Sequence, residues 1–160
     1  MRTTVMKMKM NEAEQLCAQL SALSDGVKMP VTLLANAAAL LWQNLDRINW
    51  AGFYLYEDGA LWLGPFQGKP ACTKIGMGKG VCGTAAQRGE VVAVPDVHAF
   101  PGHIACDADS ASEIVVPLYR GGMLYGVLDI DSPEKNRFSG EIQAALTAFA
   151  KILTDYLEQC

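Results

Sequence analysis

Residues 113–131, EIVVPLYRGGMLYGVLDID, decide the fold of this chain. Two nearly continuous apolar runs flank Arg120-Gly121-Gly122, which is the pattern of a β-hairpin. Strands that lack a polar alternation are typically central in a sheet and covered on both faces. We therefore expect paired strands at Ile114–Tyr119 and Met123–Ile130 in the middle of an antiparallel sheet.

The flanking segments add a second hairpin and three helices. Asp58-Gly59 is a turn signal between two further strands, Trp50–Tyr56 and Ala60–Leu63. Apolar residues at helical spacing, with Ser139 as the cap of the last helix, predict helices at Asn11–Leu23, Pro30–Leu45 and Gly140–Glu158.

The order of these elements predicts an α+β fold. It is helix, helix, hairpin, irregular middle, hairpin, helix, which favours a central antiparallel β-sheet with the N- and C-terminal helices packed on one face. The irregular middle, Pro65 to Ser112, is left for the other face. Loops of that length in a compact domain usually carry function, so we expect a loop-rich active-site face there.

Length and charge narrow the class of protein. The 160 residues fit a single domain, 1–160, and a net charge of −4 lacks the basic patch that nucleic-acid binding needs. Neither a signal peptide nor a membrane span is expected, which favours a cytoplasmic protein. Cysteines in that reducing compartment are thiols at rest, so a permanent disulfide framework is not expected.

Three cysteines stand in the Gly- and Pro-rich middle: Cys72, Cys82 and Cys106. Such a group can serve redox chemistry, bind a metal or simply be buried and inert. The short Cys-to-Cys spacing of structural zinc sites is absent, so we expect no metal. His98 and His103 are expected to support a loop and are assigned no catalytic role.

Three acidic residues fall at the ends of the decisive hairpin. Asp129 and Asp131 are two apart, so on a regular strand they share a face, and pairing brings Glu113 near one of them. Carboxyl groups crowded in this way raise one another's pKa, so at least one should hold a proton near neutrality. The chemistry that this suggests is general acid catalysis.

Two further features leave alternatives open. Trp50 and Tyr54 share a strand face and are as consistent with core packing as with lining a pocket. Gly76–Gly80 lacks the spacing of a phosphate-binding loop, and we expect a turn into a short helix with Cys82 in its first turn. The N-terminus of that helix can bind a substrate carboxylate through backbone N–H groups.

Several segments in order resemble a known family. GPFQGKPAC, GVCGTAA, DVHAFPGHIACD, SEIVVPL and LDIDS, with Trp50 and Tyr54 upstream of them, resemble the free methionine-(R)-sulfoxide reductases, which are built on the GAF domain. The cysteine spacings of 10 and 24 residues match as well. The resemblance runs from about the second helix to the last.

The resemblance implies unequal roles for the cysteines. Cys106 would attack the sulfoxide sulfur, Cys72 would resolve the product as a disulfide, and Cys82 would be an auxiliary thiol. The protein would need no bound cofactor, because thioredoxin would return electrons from NADPH through thioredoxin reductase. Cys17 and Cys160 lie outside the motifs and receive no role.

The resemblance also assigns the substrate contacts. Glu113, Asp129 and Asp131 would bind and activate free methionine sulfoxide, and Trp50 and Tyr54 would enclose its methylthio end. A carboxylate paired with the substrate ammonium would explain selection of the free amino acid. The alternative is a GAF module that binds a small molecule without turnover, and either protein could form a homodimer.

Overall fold

The computed structural model describes residues 2–104 and 106–160, with side chains from residue 12 onward. Along these described residues, four α-helices and six β-strands follow one another, with one 3₁₀ turn at Val97–Ala99. In chain order they are α1 Arg2–Ser24, α2 Pro30–Asn44, β1 Trp50–Glu57, β2 Ala60–Gly68, β3 Lys74–Gly76, α3 Gly80–Arg88, β4 Val92–Val94, β5 Ser112–Arg120, β6 Met123–Ser132 and α4 Gly140–Leu157.

The strands form one antiparallel sheet in the order β3-β2-β1-β6-β5-β4. The predicted α+β fold is confirmed, and both predicted hairpins are present as β1–β2 and β5–β6. Asp58 and Gly59 both have positive φ, as the tight turn between β1 and β2 requires. β1 and β6 occupy the centre of the sheet, so residues from both hairpins meet there.

The middle of the chain is more regular than expected. β2 continues to Gly68, and β3 and β4 add an edge strand on each side of the sheet. β3 and β4 are only three residues long, too short for a periodic pattern to emerge from single-sequence reasoning. The expected short helix is present as α3, with Cys82 in its first turn.

Two helix ends also differ from expectation. The backbone of α1 is helical from Arg2, well before the predicted start at Asn11. Ser139 does occupy the position before α4, but its side chain makes no capping hydrogen bond. The predicted cap therefore has the right residue and position without the expected contact.

Three helices cover one face of the sheet, as predicted. α2 packs on β1 and β2, α4 packs on β5, and α1 packs on α2 and α4. Ala37 and Ala38 are almost fully buried, and small side chains there let the backbone of α2 approach closely. Sheet residues Phe53, Ile114 and Leu128 are fully buried beneath the helices. We call this the helix-covered face.

The opposite face is covered by α3 and the loops around it. α3 packs on β5 and β6, and a second cluster of buried residues lies between them. A Cβ at Gly83 would overlap the carbonyl oxygen of Gly76, so only glycine lets α3 lie this close to β3. We call this the α3 face.

None of the described helices is both long and apolar enough to cross a membrane.

Candidate active site

Strand register places the three predicted acids side by side on the α3 face. Glu113 of β5 pairs with Asp131 of β6, and Asp131 pairs in turn with Trp50 of β1. Asp129 stands two residues along β6, so its side chain points to the same face. The sequence left open which aspartate would oppose Glu113, and the register selects Asp131.

Burial changes the protonation of these acids. Glu113 and Asp129 are 7% and 5% exposed, and Asp131 is half-buried. Burial first, and then the charges of Asp129 and Asp131, raise the pKa of Glu113 well above its usual value. Burial raises the pKa of Asp131 to about 6 and raises that of Asp129 as well. The group can therefore hold protons near neutral pH.

Cys82 approaches these acids from the first turn of α3. Its sulfur and one carboxylate oxygen each from Glu113 and Asp129 all lie within 4.8 Å of one another. The thiol is buried, and burial followed by the charge of Asp129 raises the pKa of Cys82 well above its ordinary value. Cys82 is thus a protonated thiol, and its predicted part in disulfide exchange stays a prediction.

Cys72 and Cys106 are joined by a disulfide, with their Cα atoms 5.7 Å apart. Both residues are half-buried and lie in loops, Cys72 before β3 and Cys106 between the 3₁₀ turn and β5. The sequence context predicted thiols at rest, and the structure holds the oxidised pair. These are the two cysteines for which the resemblance implied attack and resolution.

An aromatic stack supports the loop that carries Cys72. The Trp50 ring lies 5.8 Å from that of Tyr54 and 5.2 Å from that of Phe66. The Tyr54 hydroxyl donates to the carbonyl oxygen of Cys72 at 2.9 Å, and the Trp50 indole donates to that of Lys69 at 3.1 Å. Trp50 and Tyr54 are therefore packed as core residues and also line the cavity, so the two alternatives that the sequence left open both apply.

Polar residues that sequence reasoning missed hold the loop after Cys106. The Asn49 side chain donates to Asp107 Oδ2 at 3.2 Å and to Ser110 Oγ at 3.1 Å. Lys69 Nζ lies 3.0 Å from Asp109 Oδ2, which ties the Cys72 loop to the Cys106 loop. These contacts join loops that are distant in sequence, so no local pattern announced them.

A cavity of about 40 Å³ opens between the acids, α3 and the two cysteine loops. Every predicted site residue lines it except Cys72, which reaches it through the disulfide to Cys106. His103 lines it too, although the sequence suggested only loop support, whereas His98 is exposed and bonded to Asp96. Lys79 and Gly80 bring the start of α3 to the cavity wall.

The sheet, its helical cover and the cavity on the α3 face define a GAF domain. The GAF domain family model matches residues 30–154. Free methionine-R-sulfoxide reductase of Escherichia coli is 52% identical over 140 residues, which cover 86% of this chain and 85% of that protein. The chain belongs to the GAF domain family and, within it, to the family of the free methionine-R-sulfoxide reductases.

Solved structures agree with this assignment. The reduced form of fRMsr of Staphylococcus aureus is 49% identical and superposes with a TM-score of 0.89, covering 91% of this chain and 94% of that one. Free methionine-R-sulfoxide reductase of Neisseria meningitidis, solved with its substrate, is 42% identical with a TM-score of 0.88, covering 92% of this chain and 89% of that one. The family that the sequence motifs indicated is therefore confirmed.

Proposed function

We propose that this protein reduces free L-methionine-(R)-S-oxide to L-methionine, with two of its own thiols as the immediate reductant. The observation that carries the proposal is the Cys72–Cys106 disulfide beside a cavity lined by three buried or half-buried acids. Thiol reduction of a sulfoxide needs a sulfur nucleophile, a second thiol and a proton donor. Two cysteine sulfurs and three carboxyl groups beside one cavity support this assignment.

The first step is attack by the Cys106 thiolate on the sulfoxide sulfur. The oxygen passes to Cys106 as a sulfenic acid, and methionine leaves with its sulfur reduced. The sulfoxide oxygen must be protonated for this transfer, and a buried carboxyl with a raised pKa supplies the proton. Glu113 is the strongest candidate, because burial and two neighbouring carboxylates favour its protonated form.

The second step regenerates a stable enzyme. The Cys72 thiolate attacks the sulfenic sulfur, the disulfide forms and the oxygen leaves as water. One sulfoxide and two thiols thus become one sulfide, one disulfide and one water. The Cα atoms of Cys72 and Cys106 lie 5.7 Å apart, which is within the usual range for a disulfide. The two loops therefore hold these residues at a distance that suits the bond.

Substrate selection follows from the charges in the cavity. Asp129 and Asp131 can pair with the ammonium of a free amino acid, which a residue inside a peptide lacks. The stacked Trp50 and Tyr54 offer an apolar wall for the methylthio end. The backbone N–H groups at the start of α3 suit the substrate carboxylate.

Turnover then requires an external dithiol. Thioredoxin would reopen the Cys72–Cys106 bond by thiol–disulfide exchange, with electrons from NADPH through thioredoxin reductase, and no cofactor would stay bound.

The test is reduction of the two separate epimers of free methionine sulfoxide, with dithiothreitol and then with thioredoxin as the donor. The wild type should consume the R-epimer and leave the S-epimer, and Cys106→Ser should consume neither. Cys72→Ser should release a first equivalent of methionine and then recycle slowly with thioredoxin. Cys17→Ser is the matched control and should keep full activity. Absence of R-epimer turnover by the wild type would overturn the proposal.

A further inference from the structure

Cys82, Glu113 and Asp129 form a compact group of potential metal ligands. Their sulfur and carboxylate oxygens lie within 4.8 Å of one another, and all three residues are buried. In a tetrahedral zinc site, bonds of about 2.0–2.3 Å place neighbouring ligand atoms roughly 3.3–3.7 Å apart. A contraction of at most about 1.5 Å would therefore bring these three atoms to one ion.

One oxygen of this group has no hydrogen-bond partner in the described part of the chain. Asp129 Oδ1 is buried without a hydrogen bond to any described residue. None of the ion pairs among the described residues includes Glu113, Asp129 or Asp131. Buried carboxyl groups normally have a hydrogen-bond donor or a cation as a partner, so this oxygen is open to a ligand.

The cations that line the cavity do not fill that role. Lys69 is directed to Asp109, at 3.0 Å, and its side chain is largely exposed. Lys79 is exposed at the start of α3 and makes no ion pair among the described residues. The substrate ammonium would supply the positive charge during turnover, which leaves the resting site without one.

We propose that Cys82, Glu113 and Asp129 bind a thiophilic divalent cation such as Zn²⁺ or Cd²⁺ when the substrate is absent. The Cys82 thiol, together with the Glu113 and Asp129 carboxyl groups where they are protonated, loses its proton to solvent as the bonds to the metal form, and no electron is transferred. Three protein ligands with an open fourth position are an arrangement that zinc accepts. A sulfur ligand favours soft ions over Mg²⁺, which prefers oxygen ligands and water.

Metal binding would regulate the same site that turnover uses. The inference rests on the proposed function only in this respect: the ion takes Asp129, one of the two carboxylates proposed for the substrate ammonium, and Glu113, the proposed proton donor. Zn²⁺ should therefore compete with the free amino acid and raise its apparent KM. Binding itself involves Cys82 and not the Cys72–Cys106 pair, so the oxidised protein should bind the ion as well.

The experiment is a Cd²⁺ titration of the oxidised Cys17→Ser/Cys160→Ser protein, followed by the ultraviolet absorption of the cadmium–thiolate bond. Cys82 is then the one free thiol, because the other free cysteines are replaced and the remaining two form the disulfide. We expect one ion per chain, with the thiolate absorption saturating at one equivalent. Mg²⁺ in tenfold excess should not displace the ion.

Variants of the same protein separate the ligands. Cys82→Ser should remove the absorption, and Asp129→Asn and Glu113→Gln, which keep the thiol and the side-chain size, should each weaken Cd²⁺ at least about tenfold. Asp107→Asn, at another acid of the cavity wall, is the control and should stay within about threefold. An absent absorption, one that survives Cys82→Ser, or unchanged affinity in both acid variants would overturn the inference.

A separate assay keeps this test independent of the proposed reductase activity. R-epimer turnover measured in chelator-treated buffer concerns the reductase alone. Cadmium binding without turnover would leave the metal site standing and remove the reductase proposal. Turnover without cadmium binding would do the reverse.

Discussion

The two faces of the sheet are built from alternate residues of the same strands, yet they bury opposite kinds of side chain. On the helix-covered face, Phe53 and Ile114 are fully buried among apolar residues. On the α3 face, the next residue to each in the sequence, Tyr54 and Glu113, is buried and lines a cavity together with Asp129. Because successive side chains of a strand point to opposite faces, adjacent residues contribute to the apolar core on one face and to the candidate active site on the other.

This difference has a physical cost that the helix-covered face offsets. Burying a carboxyl group without a charged partner is unfavourable, and the raised pKa of Glu113 is the sign of it. Apolar burial contributes roughly 25 cal/mol for each Å² removed from water, and the helix-covered face supplies the larger cluster. The comparison predicts that neighbouring substitutions will separate activity from stability.

The largest effect is expected from Glu113→Gln on the α3 face. The amide keeps the shape but cannot donate the proton, so kcat/KM should fall about 10²- to 10⁴-fold. Stability should not fall, because a buried ionisable group is replaced by a neutral one. Steady-state kinetics over a range of pH, with thermal melting of the same samples, measure both.

Ile114→Val is the matched control, one residue along the strand and on the opposite face. It should lose about 0.5–1.5 kcal/mol of unfolding free energy and keep its turnover rate. If Glu113→Gln retained the wild-type rate and pH profile, Glu113 would have no part in the chemistry.

The next largest effect is expected on the helix-covered face, where a substitution should lower stability and leave the catalytic activity almost unchanged. Phe53→Ala should lower the unfolding free energy by about 3–5 kcal/mol, because it removes a fully buried ring from the helix-covered face. Activity per folded molecule should remain within about threefold of the wild type. Denaturant unfolding and activity corrected for the folded fraction provide the measurement.

Tyr54→Phe is the neighbouring control for that substitution. It removes the hydrogen bond to the Cys72 carbonyl and should cost only about 0.5–1.5 kcal/mol, while slowing disulfide formation. Equal losses of stability and activity at positions 53 and 54 would contradict the division between the faces.

A smaller effect is expected from pH. Burial raises the pKa of Asp131 from 3.8 to about 6 and those of Glu113 and Asp129 as well. A folded pKa above the unfolded one gives stability that is complete below about pH 4 and is lost as the pH rises through about 6. The unfolding free energy of the oxidised protein should therefore fall across that range, by up to about 3 kcal/mol for Asp131.

Urea unfolding at several pH values measures that slope. Asp131→Asn should flatten it, because the amide cannot ionise. Two results would show that burial does not raise the pKa of Asp131. One is an unfolding free energy that is constant or rises between about pH 4 and 7, and the other is a pH dependence that Asp131→Asn leaves unchanged.

The smallest effect is expected from Lys69→Ala. Its ion pair with Asp109 is exposed on both sides, and solvent-exposed pairs contribute little to the free energy of unfolding. The urea midpoint should therefore stay close to that of the wild type, and added salt should reduce any difference. A loss of stability as large as that of Phe53→Ala would contradict the account, because the joined loops would then matter as much as the helix-covered face.

The sequence was sufficient where the signal was local and apolar. Both hairpins, with the Asp58-Gly59 turn of the first, were predicted from apolar patterning and turn residues. The cysteine-bearing helix α3 was predicted from the glycine-rich turn that precedes it. Glu113 was expected to lie near Asp129 or Asp131, because hairpin pairing follows from the turn, and the register selects Asp131. β4 at Val92–Val94 escaped detection because three residues form too short an element for a periodic signal.

Contacts between distant loops were beyond the reach of sequence reasoning. Asn49 bonds to Asp107 and Ser110 across some sixty residues, and no pattern at Asn49 indicates them. His103 lines the cavity although it was expected only to support a loop. Such pairings depend on how the loops fold back over the sheet, which local propensities do not encode.

The most direct test of the account is one turnover of the reduced protein without an external reductant. One equivalent of free R-epimer should yield about one methionine per chain, with Cys72 and Cys106 joined in a disulfide and Cys82 still a free thiol. Quantified methionine and peptide mapping of the alkylated protein measure both. Absence of methionine, or a disulfide that joins another pair of cysteines, would contradict the account.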